Sequence, residues 1–201
     1  MHPAQTFRQQ HLKGCDWRAD ITIMLTVRRA TLDDLEKMVA IYNAAWRDGF
    51  RHMFSAATFA RDDFDAARLA ECTGTIFSDD SDTYIAEQDG HAVGWGVGSL
   101  SNAFALTIDD LWVHPASQGS GAAAAIVSKL EDDARASGIG RMSAWVPEDS
   151  PRARHFAEKI GWKPTGAIEM LAVYDHEPNR LFEYDRDLGL FDMTRGLPRP
   201  A

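Results

Sequence analysis

Cysteine is nearly absent from this chain. Two in 201 residues, Cys15 and Cys72, form no C-x-x-C pair and cannot build a disulfide framework, which points to a reducing, cytoplasmic setting. Positive charge is short as well: 21 Lys and Arg stand against 30 Asp and Glu, a formal net charge of -9. That balance argues against nucleic acid and against an anionic membrane surface as partners. Any bound anion must then be held by local geometry. No run reaches the ~18 apolar residues of a membrane span, and the polar opening MHPAQTFRQQHLKGCDWRAD has no signal-peptide core. None of the seven histidines lies three or four residues from another, so no metal site is expected. Internal repeats and low-complexity tracts are lacking too.

What is present suits one domain. The chain is 45% hydrophobic and long enough to bury one substantial core. Residues 1–24 show no periodicity and read as a flexible extension, with Met24 an alternative start; 25–188 form the domain and 189–201 a loose tail. LTVRRA (25–30) reads as a strand. Thr31 and Asp34 form a capping-box variant that opens a helix with Leu35, Met38, Val39, Tyr42 and Trp46 on one face, closed by Gly49. A second helix is expected from Thr58 to about Cys72, before Gly74. The stretch 61–90 holds nine acidic residues and two Arg, most simply a solvated face, though it would also suit a cationic amine.

Next comes the clearest local signal, TYIAEQ and HAVGWGVGSL joined by Asp89-Gly90, which predicts an antiparallel hairpin. Thr107–Val113 is a strand, 121–137 a helix ended by Gly138, and RMSAWV (141–146) a strand. Ser150-Pro151 supplies an N-cap and an N1 proline for a helix running to Ile160. IEMLAVY and RLFEYDRDL close the domain as an antiparallel pair. The order β-α-α-β-β-β-α-β-α-β-β makes this an α/β chain of the α+β type. We expect a single-domain mixed, mostly antiparallel central sheet flanked by helices.

One stretch carries chemistry: DDLWVHPASQGSGAAAAIV, from Asp109 to Val127. A strand, a glycine turn and a helix N-terminus make an anion site, because the first helical N–H groups have no intrahelical partner and the dipole is positive there. The Walker A pattern fails, since no Lys-Ser/Thr follows the second glycine. A dinucleotide fingerprint is present as Gly119-Ser120-Gly121-Ala122-Ala123-Ala124. However, it does not abut its strand, and the surrounding hairpins conflict with successive parallel βαβ units.

A third pattern fits more of the chain. Val113-His114-Pro115 followed by Gln118, Gly121 and Ala123 resembles the V-x-P…[QR]-x-x-G-x-[GA] segment of the GNAT N-acetyltransferase superfamily. SPRARHFAEKIGW (150–162) resembles that family's second signature, N-x-x-A-x-x-[LF]-Y-E-K-x-G-[FW], and Arg28–Trp46 looks like its first strand and helix. The resemblance covers about 25–188. It implies the GNAT fold and transfer of an acetyl group from acetyl-CoA to a primary amine of a small molecule or peptide, with no metal. It also implies that Gln118, Gly119, Ser120, Gly121, Ala122 and Ala123 hold the CoA pyrophosphate on their amides. Leu111, Trp112 and Val113 would pair with the pantetheine arm, and Ser150, Ala153 and Phe156 would complete the cofactor wall. Ala124 and Ala125 are better explained by packing of the helix on the sheet.

The catalytic groups are less legible. The family's second motif carries a tyrosine that serves as acid, and here that position is Ala157, while the motif's Asn is Ser150. Transfer then relies on solvent or Ser150 to protonate the thiolate; the alternative is a CoA-binding sensing or scaffolding module with little turnover. Asp109 and Asp110 are candidate bases at the end of the central strand, equally readable as solvated turn carboxylates. Alternation puts them on opposite faces unless a bulge intervenes. Arg152 and Arg154 flank the second motif within reach of phosphates, though exposure is commoner. Trp46, Phe50, Phe54 and Phe59 are mostly core by spacing, with Phe50–Phe54 a candidate cleft wall. A homodimer stays open.

Overall fold

The computed structural model describes residues 24–52, 56–59, 68–70, 72–74, 78–171 and 179–189. The expected extension and tail fall outside the described residues, as do Cys15, Phe54 and most of the acidic stretch between 60 and 77.

Seven strands form one sheet in the order β1-β2-β3-β4-β5-β7-β6. They are β1 (Leu25–Arg29), β2 (Ser81–Gln88), β3 (His91–Asn102), β4 (Ala105–Val113), β5 (Arg141–Pro147), β6 (Lys163–Leu171) and β7 (Asn179–Asp187). Every neighbouring pair is antiparallel except β4 with β5. The helices are α1 (Leu35–Phe50), α2 (Ala56–Phe59), α3 (Ala122–Ala136) and α4 (Pro151–Lys159). Residues 68–70 and 72–74 are also helical. The mixed, mostly antiparallel sheet therefore stands as expected.

Local chemistry explains most of the boundaries. Asp34 reaches back to the Thr31 N–H at 2.9 Å, starting a 3₁₀ turn that runs into α1. Asp89 and Gly90 both take positive φ, 51° and 80°, as a two-residue hairpin turn requires. Several boundaries differ from expectation: β2 and β4 start two residues earlier, at Ser81 and Ala105, β3 ends two later, at Asn102, and Gly74 is itself helical. Two further differences have a clear physical reason. Helix α1 continues through Gly49 to Phe50, and both residues after it are a turn; with Trp46 and Phe50 buried together, packing overrides the glycine's weak preference. Strand β6 begins at Lys163, five residues before the apolar run that suggested it, because its N-terminal half is an exposed polar edge with no hydrophobic signature.

The two faces of the sheet are covered differently. Trp95 and Val97 of β3 and Ile85 of β2 pack under Met38 and Ile41 of α1, and the buried Trp95 Nε1 donates to the Met38 carbonyl at 2.9 Å. On the other face, Ile126 and Leu130 of α3 join Tyr84, Leu106, Met142 and Trp162. Helix α3 sits close because β3 carries glycine there: a Cβ on Gly96 would lie 2.9 Å from Ile126 Cγ2 and 3.1 Å from the Asp110 carbonyl.

Candidate active site

Strands β4 and β5 pair only from Ala105–Ile108 against Arg141–Ala144, although β4 continues to Val113 and β5 to Pro147. The divergence has a local cause. On the β3 side the register steps from Gly98↔Ile108 to Val97↔Asp110, so Asp109 is an inserted residue with no partner, and such a bulge bends its strand. Beyond it, Leu111, Trp112 and Val113 stay paired with β3, while the edge facing β5 has no strand partner. The result is a wedge through the sheet, floored by backbone that can pair with an extended ligand.

The chain then makes a 3₁₀ turn at Pro115–Ser117, steadied by His114 Nδ1, which accepts from the Ala116 N–H at 3.3 Å. Gln118 N–H and Ser120 N–H are spent on the Pro115 and Ser117 carbonyls at 3.3 and 3.2 Å. Ala122 N–H leans on Ser120 Oγ at 3.4 Å. The amides left to face an anion are those of Gly119, Gly121, Ala123 and Ala124, the last two in the first turn of α3. Gly119 and Gly121 have φ of 83° and 92°, so the two glycines are required by the turn's own conformation. A Cβ on Gly119 would meet nothing within 4 Å, so the turn faces open space. Of the alanines, Ala122 is the fully buried one and Ala124 is exposed; the packing role expected of Ala124 and Ala125 falls on Ala122, the residue on the sheet side of the helix.

Helix α4 closes the other side. Ala153 and Phe156 pack partly buried against the main core, and Ser150 is the half-buried N-cap, whose hydroxyl makes no capping bond. Arg152 bridges three elements: its Nη1 donates to Gln118 Oε1 and lies 3.3 Å from Asp48 Oδ2 on α1. Arg154 instead lies over the Phe182 ring at 5.9 Å. Ala157 is buried at 6% exposure in the main core cluster, and the nearest turn of α4 offers no hydroxyl there. The neighbouring buried hydroxyl, Tyr184, donates to Glu158 Oε1 at 3.2 Å.

The bulge also decides the two aspartates. Both lie on the α1 face, with different surroundings. Asp110 Oδ1 accepts from Trp112 Nε1 at 2.5 Å and meets Arg68 Nη2 at 2.7 Å. Arg68, only 7% exposed, lies over the rings of Tyr42 (4.1 Å) and Trp95 (5.1 Å). Asp109 is the exposed carboxylate, and Ser99 Oγ donates to its Oδ2 at 2.5 Å. Desolvation by the strands pushes its carboxyl above the usual range, the Ser99 bond opposes this, and the Asp110 charge adds to it. The aromatic wall beside them, Tyr42, Trp46, Phe50 and Trp112, is a packed cluster with Trp46–Phe50 centroids 4.2 Å apart. Phe50 is thus core, not cleft lining. Arg68 and Ser99 had no sequence signal, because only helix docking and strand register bring them here.

Among the described residues no cluster of His, Cys, Asp or Glu could hold a metal. An open depression of about 360 Å³ between β1, β2 and α3 lies elsewhere, and its charges are mutually paired, Arg29 with Asp82 at 2.5 Å and Lys129 with Asp133 at 2.6 Å. Among the described residues no helix is long and apolar enough to cross a membrane.

The fold matches known structures. No curated protein matches this chain in sequence. Among solved structures, the PaiA N-acetyltransferase of Thermoplasma acidophilum, in complex with coenzyme A, aligns over 82% of this chain and 99% of its own at 14% identity, with a TM-score of 0.65. YncA of Salmonella typhimurium with its cofactor acetyl-CoA aligns over 82% and 94% at 21% identity, TM-score 0.61. The ribosomal-protein-S18-alanine N-acetyltransferase of Escherichia coli aligns over 82% and 94% at 15% identity, TM-score 0.62. The family model for GNAT acetyltransferases matches residues 36–162, which span α1, the wedge, the glycine turn and α4. The chain therefore belongs to the GNAT acetyltransferase family.

Proposed function

We propose that this protein transfers the acetyl group of acetyl-CoA to a primary amine of a small molecule or peptide, with Asp109 as general base. The observation that carries the reading is the β4 bulge, which opens the wedge and sets Asp109 beside it on the face opposite α3. The amides of Gly119, Gly121, Ala123 and Ala124 would hold the diphosphate. The β5-facing edge of Leu111–Val113 would pair with the pantetheine arm, and Ala153 and Phe156 would wall it. The bound thioester supplies an activated acetyl carbonyl.

The side chains divide the remaining work. Asp110 anchors the strand through Arg68 and Trp112, while Asp109, with no cation paired to it among the described residues, keeps the basicity to take a proton from an ammonium. As the amine forms its N–C bond, the C–S bond breaks with its electron pair on sulfur. The Asp109 carboxylate, having first passed the ammonium proton to solvent, takes the remaining surplus N–H proton of the adduct, and the thiolate draws one from solvent near Ser150. Acid assistance is worth typically 10²–10⁴-fold, so its lack at Ala157 slows the reaction without forbidding it.

Ala157 also favours a second reading, a CoA-binding module with little turnover. Calorimetry with acetyl-CoA, run beside thiol release over a panel of amines, separates the two. Binding with thiol release, lost about 100-fold or more in Asp109→Asn, is expected. Binding with no release by any amine would favour the module, and no binding sinks both.

A further inference from the structure

Ser99 belongs to no motif in the chain, yet the register gives it a definite place. The row of directly paired residues crossing the sheet is Ser81, Ser99, Thr107, Ser143, Asp185 and Lys163, polar on all six strands. Paired residues share a face, and alternation with Trp95 and Val97 sets Ser99 on the α1 face. Along this row Ser143 is buried and Ser81, Ser99, Thr107 and Asp185 are half-buried, so their polar atoms need partners. Part of it is satisfied internally, Thr107 Oγ1 lying 3.3 Å from Ser143 Oγ. Ser99 does something else: it reaches diagonally past Thr107 to the inserted residue Asp109, Oγ to Oδ2 at 2.5 Å.

An inserted residue lacks the cross-strand neighbour that normally fixes a strand side chain. We infer that Ser99 is the positioning residue for the Asp109 carboxylate, engaging Oδ2 so that Oδ1 is presented to the incoming amine. The inference rests on Asp109 being the base and deepens that reading. Among the described residues, the charged group acting on Asp109 is Asp110 from its own strand, itself faced by Arg68; from β3 comes only the uncharged Ser99. A donor to the ionised carboxylate lowers its pKa, so removing the donor raises it.

Two measurements on the full chain test this. In protein carrying ¹³C-carboxyl aspartate, with Asp109 assigned through Asp109→Asn, the titration midpoint of Asp109 should rise by about one pH unit in Ser99→Ala and return toward wild type in Ser99→Thr. In thiol release from acetyl-CoA, with whichever of spermidine, a free amino acid or an alanine-terminated peptide turns over fastest, the acidic limb should move up by the same amount in Ser99→Ala. An Asp109 titration unmoved in Ser99→Ala overturns the inference, whatever the rates. Wild-type rates in Asp109→Asn overturn the base reading instead, and the titration, which needs no acceptor, keeps the two failures apart.

Discussion

Arg28 and Asp34 meet as a two-point ion pair, Nη1 to Oδ2 at 2.7 Å and Nη2 to Oδ1 at 2.9 Å, tying the edge strand to the start of α1. Asp34 is 1% exposed and also accepts from Thr31 N–H. Arg28 is 40% exposed and keeps Glu87 at 2.6 Å, so the main loss in Asp34→Ala is the charge-assisted bonds to Arg28 and the Thr31 N–H, and it should cost about 1.5–3 kcal/mol in urea unfolding at pH 7.

The same pair sets an acid limit. Arg28, then Thr31 N–H and Lys37, hold the Asp34 carboxyl well below the ordinary range against the opposing effect of burial. A depressed folded pKa contributes stability that is complete above the unfolded value, about 3.9, and is lost as pH falls through the folded one. Wild-type unfolding free energy should therefore drop below about pH 4, with a smaller drop in Asp34→Asn. Equal slopes in the two proteins would show that other carboxylates dominate.

Adjacent aspartates should fail in different ways. Asp110→Asn replaces the ionised partner of a buried guanidinium by a neutral amide and should cost about 3 kcal/mol, a fall in Tm of roughly 6–12 °C for a chain of this size. Asp109→Asn should leave Tm within about 2 °C and slow thiol release about 100-fold or more. Thermal melts and thiol release on the same preparations check both.

At Gly121, φ is 92° and the residue caps α3. Gly121→Ala forces a side chain into a left-handed conformation at a cost of about 1 kcal/mol and turns the amides proposed to hold the diphosphate. Acetyl-CoA affinity measured by calorimetry should fall at least about tenfold, which corresponds to ~1.4 kcal/mol.

Restoring the family's tyrosine should not restore an acid. Ala157 sits in the closed core with Val146, Trp162 and Tyr184. Ala157→Tyr should overpack that core by about 1–3 kcal/mol and lower Tm without raising kcat. A variant with unchanged Tm and faster thiol release would show instead that the ring reaches the wedge.

Much of this protein was legible in its residue order, where the causes are local. The hairpin at Asp89-Gly90, the cap at Thr31–Asp34, the Pro151 helix start and the glycine turn each follow from the backbone preference of one or two residues, and neighbours in sequence supply the partners. Together with the downstream SPRARHFAEKIGW segment, they were enough to identify the family.

What tertiary structure alone decided concerns residues far apart in the chain. Alternation placed Asp109 and Asp110 on opposite faces unless a bulge intervened. The bulge does intervene, because pairing with β3 slips by one residue, and that slip puts both carboxylates on the α1 face and opens the wedge. Arg68 then reaches Asp110 across 42 positions of chain, and Ser99 reaches Asp109 across β3 and β4. The division of the two acids into an anchor and a candidate base depends on register and helix docking. Both arise from the packing of the whole sheet, which no local spacing encodes.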